Sequence, residues 1–597
     1  MNTQETQFTN DLVFQKVSEY EREFVDFPVT IAGNYTFSQI ETIKKAHLYY
    51  NSQFESGPSD KLGKKLFANI LKPKVKNAQK NIDLDSKDIA TKSKNGNYVY
   101  KAWFLRREIE EFNRKRGINK FLNEVVTKTP KYGSFVAKRV FNDDIVRSVD
   151  LRNLQLDPTA DCLRDSWVSE IHYYTPSELR KMKDWDQEAI RKAIKSFIDY
   201  KTENYVDETR TNIKKGNAQY IKVYEHYDWV EEKEVVTGSE SEELVLGRFV
   251  LILPATGGKK NKAGEGLILD KRKVPSEKHK YLYKECHYDR CEGRWLGVGM
   301  MEDGFDMQVF KNDQMNQLRL AMKLANLIVY VTDDETFAAN VLKDVVNGDV
   351  VRLKGRLQRI PTEVRNYNGN QQVTQEIESL TNSLLNTYEI STGESLPSGT
   401  PLGLGQLMNQ NANRLFEFVR EQLGVFIEEI YNDWVLPELA KSINKKHIID
   451  MTDAKELEWL REQCINSYTW QMVKAVIMKE GRKPTLGEVK VADQILRTQL
   501  SSRDAIFFGL PESYFKGWED DVEIFVTDEK FSKKERMQTL GSIWQMMGTD
   551  PRIMQSPVFK QMLDYSGLSE VDVSSAQPEA IEMGQQQPQP QAQPQLQ

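Results

Sequence analysis

The chain opens with a pattern of apolar and polar positions that repeats at helical spacing. From about Thr9 to Ala137 this pattern predicts mostly helix, with well-marked segments at Phe37–Tyr50 and Ala102–Phe121. Asn34 to Thr36 supply a polar cap region before the first of these segments. Between them, Phe67–Asp88 contains Asn-Ile-Leu-Lys-Pro, which predicts a bend followed by a short extended piece.

After Gly133 the repeat shortens to two residues, which indicates strands. Ser134–Val140 and Ile145–Val149 are separated by a turn-forming Asn-Asp-Asp, so together they predict a hairpin. A helix interrupts this strand-rich region at Thr175 and Pro176, because threonine caps helices and proline suits a first helical turn. The other extended runs are Asn153–Asp157, Trp167–Tyr174, Tyr220–Val230, Glu234–Pro254 and Tyr281–Asp289.

Helical spacing returns in two segments that flank a small insert. Met301–Ile328 predicts a rod of roughly 40 Å at about 1.5 Å per residue. Val329–Asn368 carries short strand-like runs separated by glycines, and Gln371–Ile390 predicts a second helix. The apolar stripe of that second helix is Val373, Ile377, Leu380, Leu384 and Tyr388.

Beyond the second helix, the Gly and Pro density of Thr392–Gly405 predicts a loop. A long helix is expected after it, with helical spacing from Leu415 to Trp434 and a bend or end at Pro437. The later predictions are helices at Ala454–Met478 and Lys533–Met547, a strand at Val522–Val526, and a Gln- and Pro-rich tail from Ser574 to Gln597 that buries no core.

The size and charge of the chain narrow its class. At 597 residues the chain exceeds what one hydrophobic core organises, so two or more domains are expected. A net charge of −6 excludes a strongly basic protein that grips phosphates over its whole surface. Four scattered cysteines predict no disulfide framework, and neither a membrane span nor a signal peptide is expected.

Cysteines and histidines cluster once, at Cys286, His287 and Cys291 with His279 nearby. A zinc site would be one interpretation of such a cluster. The spacing of four residues between the cysteines fits no common structural zinc pattern, however, and such cysteines more often fill a small core. The sequence therefore predicts no metal site here.

The motifs of common enzymes do not occur in the chain. Gly297-x-Gly-x-x-Glu302 departs from the dinucleotide fingerprint at its third glycine and is interpreted as a turn. Asp83, Asp85 and Asp88 lack the glycine and distal glutamate of a calcium loop. A phosphate-binding P-loop, a His-Glu-x-x-His motif and a Gly-x-Ser-x-Gly elbow are all missing. The expectation is a protein that is no enzyme and needs no cofactor.

Three stretches together resemble the portal proteins of tailed bacteriophages. The first is Val149–Ala160 followed by Asp165–Val168 and Thr175–Leu179, which is similar to a strand, an Asp-Pro turn and a helix of a portal wing. The second is Gly297–Glu302, which leads into Gln308 and Asn312–Gln317 like the entry to a first stem helix. The third is the Ser391-Thr-Gly-Glu394 loop with the long helix after it.

This resemblance implies an α+β, multidomain, portal-type fold with a wing, a helical stem, a small α/β clip and a helical crown, assembling as a twelve-subunit ring. The implied divisions are a wing at 1–300, stem helices at 301–328 and 369–391, a clip at 329–368, a tunnel loop at 392–407, a long wing helix at 408–449, further wing and crown at 450–573, and the tail at 574–597.

The implied function is a conduit for DNA at one capsid vertex of the virion, made in the host bacterial cytoplasm. The implied partners are other copies of the chain, the major capsid protein, the terminase large subunit, the head-tail adaptor and double-stranded DNA. The alternative is a monomeric nucleic-acid-processing enzyme, such as a nuclease built on scattered acids.

A wall along which DNA slides should neither grip phosphate nor offer apolar adhesion, so polar stripes on the stem helices are the candidates for channel lining. These are Glu302, Asp306, Asp313, Gln317, Gln372, Gln375 and Ser379. The resemblance assigns Glu394, Ser395, Leu396, Pro397, Ser398 and Thr400 to the tunnel loop. It assigns Arg352, Lys354, Arg356 and Arg359 to clip contacts with terminase and adaptor.

Overall fold

The structure, a computed structural model, describes 22 stretches of the chain. They are 13–21, 29–32, 35–60, 63–84, 86, 89–93, 99–140, 145–199, 220–236, 240–253, 266–277, 279–325, 329–332, 356–360, 367–385, 387, 402–442, 465, 469, 472–479, 481–499 and 522–526. The predicted helix Lys533–Met547 and the tail from Ser574 lie outside these residues, as does most of Ala454–Met478.

Helices and strands are both well represented, so the α+β class predicted from the sequence is confirmed. The helices are α1 Gln39–Tyr50, α2 Leu71–Asn81, α3 Val99–Arg116, α4 Ile118–Tyr132, α5 Pro176–Lys181, α6 Gln187–Asp199, α7 Glu232–Val235, α8 Met300–Asp303, α9 Phe305–Ala325, α10 Tyr367–Leu384, α11 Leu402–Ile430, α12 Leu436–Ser442 and α13 Leu486–Gln499.

The strands pair in antiparallel fashion throughout the described residues. They are β1 Val29–Ala32, β2 Tyr35–Phe37, β3 Ser59–Asp60, β4 Gly63–Lys64, β5 Ile89–Ser93, β6 Ser134–Arg139, β7 Val146–Ser148, β8 Leu154–Leu156, β9 Val168–Tyr174, β10 Ile221–Glu231, β11 Leu244–Ile252, β12 Leu267–Lys273, β13 Tyr283–His287, β14 Val329–Thr332, β15 Leu357–Ile360 and β16 Val522–Val526.

Two sheets form the strand-rich part. One has five strands in chain order, β8 to β12, and the other has β6 between β13 and β7, which confirms the predicted hairpin. The predicted helix start at Thr175 is also confirmed, because its side chain and that of Glu178 form a capping box at α5. Helix α6 and strand β12 were not predicted. Strand β12 is an edge strand of the five-stranded sheet, and α6 packs against that sheet.

Several predicted helix boundaries in the N-terminal part were wrong. Leu71–Asn81 is a helix, whereas a bend and an extended piece were predicted there. Pro73 is tolerated because it stands in the first turn, where its missing N–H has no partner inside the helix. The segment Ala102–Phe121 is divided between α3 and α4 at Gly117, whose φ of 62° lies in the left-handed region. The cap of α1 is Ser38, and Tyr35–Phe37 is a strand.

Three predicted boundaries in the second half also differ. The first stem segment is interrupted at Gly304, which packs against Leu71 and divides α8 from α9. The second stem helix begins at Tyr367 rather than Gln371. Helix α11 begins at Leu402, so the last residues of the predicted loop 392–407 are helical despite their glycines.

A π-helical turn, Tyr431–Val435, separates α11 from α12. Pro437 lies just beyond it and cannot donate a backbone hydrogen bond. Its presence therefore favours a departure from the regular α-helical hydrogen-bond pattern at this point. The turn also places Tyr431 and Trp434 in the core, where they bond to the Asn113 side chain at 2.6 Å and the Tyr281 carbonyl at 3.2 Å. The predicted bend at Pro437 therefore takes the form of a widened turn.

Strand β16 pairs with β5 across more than 400 residues of sequence. The Asn432 side chain bonds to both backbone groups of Ile524, at 2.8 and 2.9 Å. Glu428 accepts from the Val526 amide at 2.8 Å. The long helix and its π turn therefore hold a late strand against an early one.

Glycines allow the end of α4 and the segment before α8 to approach closely. The backbone of Gly133, with φ of 84°, lies so close to Gly297 and Gly299 that a Cβ on Gly297 would stand 2.5 Å from the Gly133 carbonyl oxygen. Gly297 also donates its amide to the Ser134 hydroxyl at 2.8 Å. The Gly-x-Gly run is thus a close backbone contact just before α8, in a segment that is irregular rather than a turn.

A buried charge network joins the two sheets. Lys138 on β6 reaches Glu170 on β9 at 2.7 Å and Glu225 on β10 at 2.6 Å, and all three side chains are almost fully buried. Burial raises the pKa of Glu225, yet the charges of Lys138 and Arg248 and the His172 hydrogen bond lower it well below its usual range overall. The network therefore holds both carboxylates ionised between the sheets.

We expect Lys138→Met to lower the free energy of unfolding by about 3 kcal/mol at pH 7, because two buried carboxylates lose their shared cation. Urea denaturation followed by tryptophan fluorescence would measure this. The matched control is Lys120→Met on the exposed side of α4, which should change stability by less than about 0.5 kcal/mol. Equal stability of the two variants would contradict the role of Lys138.

Candidate functional site

The two predicted helices pack together and are connected through a strand pair. Helices α9 and α10 pack together, and the buried ammonium of Lys311 bonds to Glu378 at 2.7 Å. Strand β14 follows α9 and pairs with β15, which precedes α10, so that Val329 faces Ile360. Because the far ends of the two helices are connected through this strand pair, the helices run antiparallel.

The first of these helices is anchored by a ladder of amide side chains. Gln308 accepts from the Ile70 amide at 2.9 Å and donates to the Ala68 carbonyl at 2.6 Å. Asn312 accepts from the Ala68 amide at 2.9 Å, and Asn316 exchanges two bonds of 2.8 Å with the Leu66 backbone. These amide side chains recur every four residues along the helix. They therefore form hydrogen bonds with the backbone groups of an extended segment, as a neighbouring strand would.

The acidic stripe predicted on α9 divides into two parts. Glu302 on α8 is paired with the buried Arg294 through bonds of 2.7 and 3.0 Å, so its charge is neutralised within the chain. Asp306, Asp313 and Gln317 are exposed on the side of α9 opposite the amide ladder. Phe310 lies on that same face and is 45% exposed, so the face is not purely polar.

Helix α10 also differs from the predicted pattern. Gln372, Gln375 and Ser379 are exposed, as a polar stripe requires. The predicted apolar stripe is not one continuous buried face, because Ile377 is buried while Leu380 and Leu384 are 57% and 49% exposed. The residues buried alongside Ile377 are Thr381 and Leu385. Two leucines therefore face outward beside the packed side of the helix.

The other candidate residues are only partly described. Arg356 is exposed just before β15, and Arg359 belongs to that strand. Arg352 and Lys354 lie outside the described residues. So do the tunnel-loop candidates Glu394, Ser395, Leu396, Pro397, Ser398 and Thr400.

The side chains considered for a metal are arranged for other roles. Cys286 and His287 are neighbours on β13, with Cys286 in the hydrophobic core and His287 bonded to Ser134 at 2.8 Å on the other face. Burial raises the pKa of the Cys286 thiol and lowers the pKa of His287 to about 4. A thiol that resists ionisation is a poor metal ligand.

A second group with metal-ligand side chains is Glu170, His172 and Glu225 in the charge network. Lys138 contacts both carboxylates, and Arg248 bonds to Glu225 at 2.8 Å. The positive charge that a metal would supply is already present in these side chains, so the group fits a structural role.

Comparison of the chain with protein-family models gave no match, and comparison with curated proteins gave none either. Among the described residues, no helix combines the length and apolar character needed to cross a bilayer.

The sequence analysis did not predict the amide ladder or the exposure of Leu380 and Leu384. The spacing of four between Gln308, Asn312 and Asn316 was a usable signal for a helix face with one shared partner. The extended partner segment could not be identified in the sequence, since it lies about 240 residues earlier. What α9 and α10 offer chemically is a rigid pair of helices with exposed polar and apolar faces.

Replacing Asn312 with Ala should destabilise the anchoring of α9 by about 1–3 kcal/mol, because the Ala68 amide loses its acceptor. The control is Gln317→Ala on the exposed face of the same helix, which should change stability by less than about 0.5 kcal/mol. Thermal unfolding and hydrogen exchange of the 66–70 amides would measure the difference. Unchanged exchange in Asn312→Ala would contradict the anchoring role.

Proposed function

We propose that this chain is a ring-forming subunit of a portal, a conduit for DNA at one vertex of a phage capsid. The observation that carries the proposal is the antiparallel pair α9 and α10, which ends in a small strand pair and presents exposed apolar side chains. That arrangement agrees with the stem and clip that the sequence resemblance implies. In this proposal α9 and α10 form the stem.

Subunit contacts in the proposed ring use the outward leucines of the stem. Leu380 and Leu384 are about half exposed in the single chain, so burying the exposed half of each against a neighbour contributes about 1 kcal/mol per side chain. A cyclic arrangement repeats this contact at every interface.

The remaining partners in the proposal follow from the resemblance. Terminase large subunit and head-tail adaptor would dock on the clip, where Arg356 and Arg359 belong to the described residues. The major capsid protein would surround the wing. Asp306, Asp313, Gln317, Gln372, Gln375 and Ser379 would face the DNA, whereas Glu302 is a weaker candidate because Arg294 neutralises it.

Light scattering of the purified full chain tests assembly. Twelve copies of a 69.2 kDa chain would give about 830 kDa. We expect Leu380→Lys combined with Leu384→Lys to shift the protein toward monomer, because buried lysines at an interface lack partners. Gln375→Lys on the polar face of the same helix is the control and should leave the mass unchanged.

The assembly proposal fails if the parent chain is a monomer of about 69 kDa at all concentrations. Metal-dependent cleavage of DNA by such a monomer would support the nuclease alternative instead. Rings that persist in the double-lysine variant would place the subunit contacts elsewhere on the chain.

A second experiment tests the channel face. Asp306→Lys with Asp313→Lys would place two cations per subunit along the proposed tunnel, and counterion release would then strengthen DNA binding to isolated rings at low salt. The expected result is tighter binding with a steeper salt dependence than the parent shows. Normally assembled rings with the affinity and salt slope of the parent would show that these residues do not face DNA.

A further inference from the structure

A buried lysine without an acidic partner lies where three helices meet. Lys131 in the last turn of α4 is only 8% exposed, and its ammonium stands 4.5 Å from the ring centres of both Tyr50 and Tyr132. Among the described residues, no carboxylate lies within ion-pair distance of it and no acceptor bonds to it. The two rings and the carbonyl end of α4 stabilise this cation only in part.

A second ammonium shares the same aromatic wall. Lys72 on α2 stands 5.3 Å from the centre of the Tyr50 ring. It too has no ion-pair partner among the residues that the structure describes. Two lysines from different helices therefore contact the ring of one tyrosine, and neither has an ion-pair partner among the described residues.

The other charged groups around these lysines are already engaged. Asp150 is held by Arg152 through bonds of 2.9, 3.2 and 2.5 Å, so each neutralises the other. Lys128 is bonded to Glu124 at 2.8 Å. His47 lies 3.1 Å from the Tyr132 hydroxyl. The excess charge of the cluster thus belongs to the lysines.

The electrostatics of the neighbouring groups agree with uncompensated positive charge. Burial, and after it the charge of Arg152, lowers the pKa of Lys131 to about 8; Asp150 opposes this shift, and Lys128 and Lys72 add to it. Burial and the charges of Lys131 and Arg152 lower the pKa of His47 to about 4. An anion placed among these groups would relieve the repulsion.

We propose that Lys72 and Lys131, with Tyr50 and Tyr132 as walls, bind a phosphate group. Two compact ammonium groups match the charge of a phosphate better than that of a single carboxylate. The Tyr132 hydroxyl is a further hydrogen-bonding group at the edge of the cluster. The same chemistry is offered by inorganic phosphate and by the phosphodiesters of DNA, and the site does not depend on ring assembly.

The test uses the full chain and inorganic phosphate, titrated calorimetrically and by thermal unfolding at constant ionic strength with chloride as the balancing anion. We expect phosphate to raise the melting temperature. We expect Lys131→Met to weaken phosphate binding by about tenfold or more, the loss typical of one charge-assisted bond. Lys120→Met, on the exposed side of the same helix, should bind like the parent.

A second variant keeps the test valid if Lys131→Met does not fold. Lys72 is only partly buried, so Lys72→Met should keep its fold while binding phosphate several-fold more weakly. A short DNA duplex then shows whether the site also accepts the phosphodiesters of DNA, since the duplex competes with inorganic phosphate only if its backbone phosphates fit the site. The proposal is overturned if phosphate stabilises no more than chloride, or if both methionine variants bind phosphate as the parent does.

Discussion

Lys138 between Glu170 and Glu225 is the contact on which the central part of the molecule depends. Removing three charged groups from water is costly, and only their mutual bonds make the arrangement stable. Strand β6 carries Lys138 and begins directly after Gly133, while β13 on its other side leads to Gly297. The register of this sheet therefore sets the glycine contact that precedes α8 and α9.

Helix α9 is held at its start by polar contacts as well as by the packing of Phe305 and Val309 against the core. Gln308 and Asn312 bond to backbone groups of the segment before α2, so α9 is fixed in rotation as well as in position. Its outer face is consequently defined, and Asp306 and Asp313 face away from the chain. A helix that could rotate about its own axis would present no constant outer face.

Local patterns in the sequence predicted local structure well. The capping box at Thr175, the hairpin after Gly133 and the α+β class are confirmed, because each depends on residues close in sequence. The helix Leu71–Asn81 was missed because Pro73 was interpreted as a breaker when its position in the first turn makes it harmless. The lysine cluster and the amide ladder join distant segments, and single-sequence periodicity carries no information about such contacts.

The pairing of β5 with β16 has a consequence for synthesis on the ribosome. Ile89–Ser93 emerges early, whereas its partner Val522–Val526 is made after most of the chain has been translated. The edge of β5 stays unpaired through that interval, which lasts roughly 20 to 90 seconds at typical elongation rates of about 5–20 residues per second. A nascent chain of this protein therefore carries an unfinished sheet edge, which makes it a natural client for chaperones that shield exposed strands.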